Sequence, residues 1–231
     1  MASPAVVQSV FTVLGGSGTT GALAFTANTT TGNAYATGHG GSGSAVTVSS
    51  IAVDTGAATF QQVSGARIAN GTMNRFLDWW VATNITGGTT PTVTATYSGT
   101  NSQRLLSIQE VSNADTTDCR DSATTATGSN ALMAATLTTT ALWTMVLAAG
   151  DNTNSTTITG GTSYTLNHPA GLFAAAEYRP FADKNTKYAS MTSGAAGTWI
   201  FSMIAVKSAD PYPEAPWRTN VNILSPEDVY F

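Results

Sequence analysis

Arg104-Leu-Leu-Ser-Ile-Gln-Glu-Val-Ser-Asn-Ala-Asp115 and Trp199-Ile-Phe-Ser-Met-Ile-Ala-Val-Lys-Ser-Ala-Asp210 align without a gap at one constant spacing. Ser107 and Ser202, Val111 and Val206, Ala114 and Ala209, and Asp115 and Asp210 are identical across the pair. Each copy reads as a short apolar strand. Each follows a Thr/Ala/Tyr-rich strand and a polar turn, Ser98–Ser102 or Ser193–Gly197. Two such halves suit a pseudo-symmetric sandwich of two related sheets, and two copies are too few for a solenoid. Chance similarity in a chain so rich in Thr, Ser, Gly and Ala is the competing explanation.

Outward from these two strands the pattern repeats. Short or alternating apolar runs are separated by Gly, Asn, Ser and Asp clusters, and helical periodicity is hard to find. Strands are expected near 6–14, 23–26, 45–53, 59–63, 75–83 and 92–97, then near 104–111, 132–137, 142–149, 156–159, 172–178, 187–191 and 199–207. Asp54-Thr-Gly56, Asn70-Gly71, Gly87-Gly88 and Gly160-Gly161 supply turn residues that tolerate positive φ. The fold class expected is all-β: a two-sheet antiparallel, jelly-roll-like sandwich with an extended C-terminal arm.

Composition narrows the function. Hydrophobic residues are 42% of the 231, enough for a real core, so disorder is not the reading. Charged residues are only 10%, against about 25% in ordinary soluble domains, so burial and sheet pairing must carry the stability. The net charge of −4, with nine scattered basic residues, argues against nucleic acid as a partner. The run Val6–Leu14 is too short to span a membrane, and the first Lys or Arg is Arg67, so neither a membrane nor a secretory signal is expected. The single cysteine, Cys119, allows no internal disulfide and reads as a packed or idle thiol.

After Ala209 the character changes. Asp210-Pro-Tyr-Pro-Glu-Ala-Pro216-Trp217 is Pro-rich, and Pro226 follows. Proline cannot donate to a ladder, so an extended arm is expected over 210–231 beside a sandwich over 1–209. The arm carries Tyr212, Trp217, Ile223, Leu224, Tyr230 and Phe231. Each gains roughly 1.5–3 kcal/mol on burial, so these six are the expected assembly-contact residues. They would lie either on their own sandwich or on a neighbouring subunit.

Chemistry is sparse. His39 sits in Gly38-His-Gly-Gly-Ser-Gly43, expected to be a mobile turn, and His168 precedes Pro169. Neither lies near a nucleophile motif, and Gly16-Ser-Gly18 and Gly41-Ser-Gly43 lack the spacing of a nucleophile elbow or P-loop. No catalytic residues and no cofactor are expected, and the protein is read as not an enzyme. A metal is not expected either: one Cys and two distant His cannot form a zinc cluster. Asp115, Asp118 and Asp121 could offer oxygen to Ca²⁺ but miss the EF-hand pattern, and read as a solvated acidic loop. Trp79 and Trp80 are adjacent on a strand and must point to opposite faces, one into the core and the other outward or under a loop. An outward Trp could stack on a glycan, and both are candidates at this stage. Trp143 and Trp199 read as core residues in mid-strand.

The segments Ala45-Val-Thr-Val-Ser-Ser-Ile51, Asp54-Thr-Gly56, Thr59-Phe-Gln-Gln-Val63, Asp78-Trp-Trp-Val-Ala-Thr-Asn-Ile-Thr-Gly-Gly88 and Thr92-Val-Thr-Ala-Thr96, continued by Ala148-Ala-Gly-Asp151 and Gly161-Thr-Ser-Tyr-Thr-Leu166, resemble a recurrent β-sandwich module. Modules of this concanavalin-like or jelly-roll type occur in tailed-phage structural proteins and in bacterial surface proteins. The resemblance spans about residues 5–209. Asn33-Ala-Tyr-Ala-Thr-Gly-His-Gly40 departs from it, being small and polar where an apolar central strand belongs. The resemblance implies a virion component made in the host cytoplasm: a head decoration or minor capsid protein, or a tail-associated module. Its partners would be other capsid or tail subunits, with a homo-oligomer expected. The alternative is a carbohydrate-binding or host-adhesion module that uses an exposed aromatic on host-surface glycans.

Overall fold

The computed structural model describes residues 3–154, 157–167 and 174–209, and among these residues every regular element is a strand. In chain order they are β1 (Ala5–Ala24), β2 (Ala34–Ser42), β3 (Val48–Val53), β4 (Phe60–Gln62), β5 (Ile68–Asn70), β6 (Arg75–Ala82), β7 (Thr92–Ser112) and β8 (Arg120–Gly128). There follow β9 (Leu132–Thr138), β10 (Thr144–Asn152), β11 (Ile158–Thr159), β12 (Thr165–Asn167), β13 (Ala174–Phe181), β14 (Thr186–Ser193) and β15 (Trp199–Lys207). Among the described residues no helix is long and apolar enough to cross a membrane, which says nothing of a β-barrel.

The protein is an all-β antiparallel sandwich. A seven-stranded sheet runs β1-β7-β2-β6-β4, with β3 added on β7 and β5 on β6. A five-stranded sheet runs β12-β13-β10-β15-β8, and a three-stranded one runs β11-β14-β9. Phe11, Leu77, Trp79 and Leu105 of the large sheet pack against Met145, Leu147, Ile200 and Ile204 of the five-stranded sheet. That is the central core.

Each facing sheet is also covered on its outer side. Met133 and Leu137 of β9 and Met191 of β14 pack on Val146, Phe201 and Met203. On the large sheet the cover comes from the sheet itself. β1 and β7, with 20 and 21 residues, would each run roughly 65–70 Å if straight. They bend instead: the β1–β7 register breaks between Gly15 and Thr20, opposite Asn101, and Gly16 takes φ 78°. The folded-over halves, joined by β3, bring Val93, Ala95 and Tyr97 over Tyr35, Phe76 and Ile108. The expected turn at Ser98–Ser102 is therefore absent, and β7 passes through it as continuous strand.

The paired segments of the sequence fall on β7 and β15, the second strand from one end of each facing sheet. Leu105 and Ile200, and Val111 and Val206, point into the central core. Ile108 and its counterpart Met203 point the other way, into the two outer cores. Both matched segments are buried on both faces: 199–206 is apolar but for Ser202, and in 104–111 the polar Ser107, Gln109 and Glu110 are buried with the apolar residues. Their ends meet in a bridge between Ala114 and Ser208.

Two further sequence expectations need correction. Gly38–Gly43 is not a turn: β2 lies between β6 and β7 in the middle of the large sheet, and Ala34 to Gly41 are buried. Its small residues make room for their neighbours. A Cβ on Gly38 would sit 3.1 Å from the Trp79 ring, and one on Gly40 would sit 2.8 Å from the Phe76 carbonyl. Glycine in a strand interior marks such close approach. At Gly41, φ is 147° and a Cβ would fall 1.8 Å from the Gln103 carbonyl oxygen. Gly41→Ala is expected to lower stability by about 2 kcal/mol, because backbone must move; urea unfolding checks this. Trp143, expected mid-strand in the core, precedes β10 and is half-buried, whereas Trp199 is core as expected.

Candidate functional site

The two adjacent tryptophans part as strand geometry requires. Trp79 points into the central core and is 0% exposed, its ring lying over Gly38. No face of it can meet a ligand. Trp80 points to the opposite face, half-buried against the cluster of Phe76 and Tyr97, and its indole donates to Asp78 Oδ2 at 3.2 Å. Asp78 also accepts from Gln62 Nε2 at 2.8 and 3.0 Å. Burial pushes the Asp78 carboxyl up, and the Gln62 and Trp80 donors oppose that shift. Of the two rings only Trp80 keeps exposed surface, and its indole is tied to a buried carboxyl.

His39 is the one histidine among the described residues. Its Nε2 lies 3.0 Å from Thr37 Oγ1, a hydroxyl–imidazole pair in kind. Both residues are 0% exposed, and Nδ1 has no hydrogen-bond partner among the described residues. Burial alone lowers the imidazole from its ordinary 6.5 to about 3, so it is neutral near pH 7. Asp78 stands opposite His39 in the β2–β6 register, yet its hydrogen bonds go to Gln62 and Trp80. The folded-over half of the sheet closes this face. His168 lies outside the described residues.

The acidic loop is divided among structural tasks. Asp115 accepts from the Thr117 amide at 2.8 Å, Asp118 pairs with Arg120 at 2.9 Å, and Asp121 accepts from Thr140. Among the described residues no three His, Cys, Asp or Glu groups gather as metal ligands would. Cys119 is buried beside the Thr83 hydroxyl at 3.2 Å, and burial pushes its thiol up to about 11. An open polar groove beside this loop is lined by Gln61, Asn84, Thr117, Asp118 and Arg120.

Buried carboxyls are more numerous than the sequence suggests. Glu110, 0% exposed, accepts from Gln8 Nε2, the Thr30 amide and Asn33 Nδ2 at 2.6–2.8 Å, tying β7 to the segment before β2. Asp151 has Arg75 Nε 3.9 Å away, and burial raises its carboxyl to about 6 against that cation. Glu177 accepts from the Gly161 amide at 2.8 Å; burial raises it to about 7, and the Gly161 and Ser190 amides pull it down.

A second groove was not anticipated. Tyr164, Arg179, Phe181, Tyr188 and Ser190 line it, between the end of β13 and the second edge of β14. The Arg179 guanidinium lies 4.8 Å and the Lys187 ammonium 5.0 Å from the Phe181 ring centre. Tyr188 is 53% exposed. The available signal was a gathering of Arg179, Phe181, Lys184, Lys187 and Tyr188 within a chain that has only nine basic residues.

The six expected assembly-contact residues, Tyr212, Trp217, Ile223, Leu224, Tyr230 and Phe231, lie outside the described residues, as does the whole of 210–231. No protein-family model, curated protein or solved structure matches this chain.

Proposed function

We propose that this chain is a non-enzymatic structural subunit of a virus particle, of the head-decoration or minor-capsid kind found in tailed phages. It attaches to other capsid or tail subunits by packing contacts and through residues 210–231. The observation that carries the reading is the contrast between body and arm. Among the described residues the body closes its own cores and leaves few large apolar side chains exposed: Val7, Leu132, Leu142 and Tyr188. The arm, by sequence, brings six large apolar residues on a Pro-stiffened segment. Such a segment can reach a neighbour and bury its side chains there. The sealed setting of His39 and Thr37, and the structural use of the acidic loop, support a role without chemistry.

Deletion of Pro211–Phe231 tests this. The truncated protein is expected to keep its far-UV and near-UV circular dichroism and its urea midpoint, and to stop co-purifying with particles. Unfolding of the truncated chain would mean that the arm completes its own core, and the assembly role would fall.

A further inference from the structure

The three-stranded sheet is too narrow to cover the strand beneath it. β14 is paired by β9 from Thr186 to Thr192, but by β11 only at Thr192 and Ser193. Beyond that its second edge has no strand partner among the described residues: Ser190 is taken by the Glu177 carboxylate and packed against Gly161, and the stretch from Thr186 to Ala189 is left open. Residues alternate in direction along a strand, and the Ser193 amide turns toward β9 by donating to Ala131. The amides and carbonyls of Thr186 and Tyr188 accordingly face the groove. Directly below lie Phe181 and Tyr164, with ring centres 6.2 Å apart. The Tyr164 hydroxyl is buried without a hydrogen-bond partner. The gap has the shape of one missing strand: a backbone edge on one side and an aromatic floor.

Its charge points to the kind of strand. Lys187 is matched by Asp183. Among the described residues Arg179 rests on the Phe181 ring and makes a 3.4 Å hydrogen bond to the Thr162 carbonyl, with no ion pair. The chain contains a segment of matching chemistry. Thr219-Asn-Val-Asn-Ile-Leu-Ser225 lies between Pro216 and Pro226, is itself free of proline, and alternates at Val221-Asn222-Ile223; Glu227-Asp228 follows. The described chain also leaves near the groove: Thr144 of β10 is the register partner of both Phe181 and Lys207, which places those two strand ends roughly 10 Å apart. Two copies that place these exits side by side can exchange arms reciprocally about a twofold axis.

We propose that residues 219–225 of a neighbouring copy add as a strand to the open edge of β14. Val221 and Ile223 cover Phe181 and Tyr164, and Glu227-Asp228 meets Arg179. This rests on the assembly role proposed above and names its acceptor. Main-chain pairing supplies affinity, and the aromatic floor with Arg179 supplies selectivity.

Hydrogen exchange on the full chain, read beside its native mass, tests the acceptor. In the wild-type assembly the Tyr188 amide is expected to exchange about tenfold or more slowly than in Ile223→Pro, which removes a ladder donor, with β15 unchanged. Arg179→Ala should shift Tyr188 in the same direction. If Ile223→Pro dissociates the assembly while Tyr188 exchange stays the same, the arm binds elsewhere: the groove assignment fails and the assembly role stands. A monomeric wild type with fast Tyr188 exchange sinks both. Protection of Tyr188 that appears only on adding an oligosaccharide would also overturn the assignment.

Discussion

Trp79→Ala is expected to lower the unfolding free energy by about 3–5 kcal/mol, the range for removing a buried aromatic that cannot be refilled. Trp79 is 0% exposed, and its ring occupies the space that Gly38 leaves between the facing sheets. Trp80→Ala removes a half-buried ring and its hydrogen bond to Asp78, so a loss nearer 1–2 kcal/mol is expected. Urea denaturation of the two variants checks the order. A larger loss at Trp80 would mean that the central core is not where the sandwich holds together.

Acid should act on His39. Its imidazole is lowered from 6.5 to about 3 by burial, so between those values the unfolded chain binds a proton that the native one does not. Stability from this group is complete above pH 6.5 and is lost as pH falls toward 3. Asp151, raised to about 6, and Glu177, raised to about 7, act oppositely: there the native state holds the extra proton, and acidification from pH 7 favours folding. The two carboxyls outweigh the one imidazole, so these three groups together make the wild type more stable as pH falls from 7 to 4, by less than the carboxyls alone would give. His39→Gln can still bond Thr37 and removes one side of the balance. Relative to the wild type it is expected to gain about 3 kcal/mol on going from pH 7 to 4. Parallel stability curves for the two proteins would show that His39 is not buried as described.

The strand order could not be read from the chain, but the two strands that organise it could. The segments 104–111 and 199–206 are legible by their match, and Leu105, Ile200, Val111 and Val206 face the same core. β2 was illegible. A strand whose glycines accommodate Trp79 and Leu77 carries the composition of a turn, and only the tertiary partners reveal its use. The bend of β1 and β7 was hidden likewise, since polar residues at 98–102 mark a turn in isolation and a strand when β1 runs beside them. At the candidate site, the tryptophan pair announced that one ring must be buried but not which. The groove at Phe181 arises from a gap, the shortness of β11 over β13, and a gap between distant strands leaves no local motif.

The weight of the full chain in solution bears most directly on the central claim, that this sandwich is built to join other subunits through its carboxyl-terminal segment. Sedimentation equilibrium should be run on the wild type and on a variant with Tyr212, Trp217, Ile223, Leu224, Tyr230 and Phe231 replaced by Ser. A closed oligomer is expected for the first, and for the second a monomer with unchanged circular dichroism. A wild type that stays monomeric across the micromolar range, or two proteins of equal mass, would contradict it.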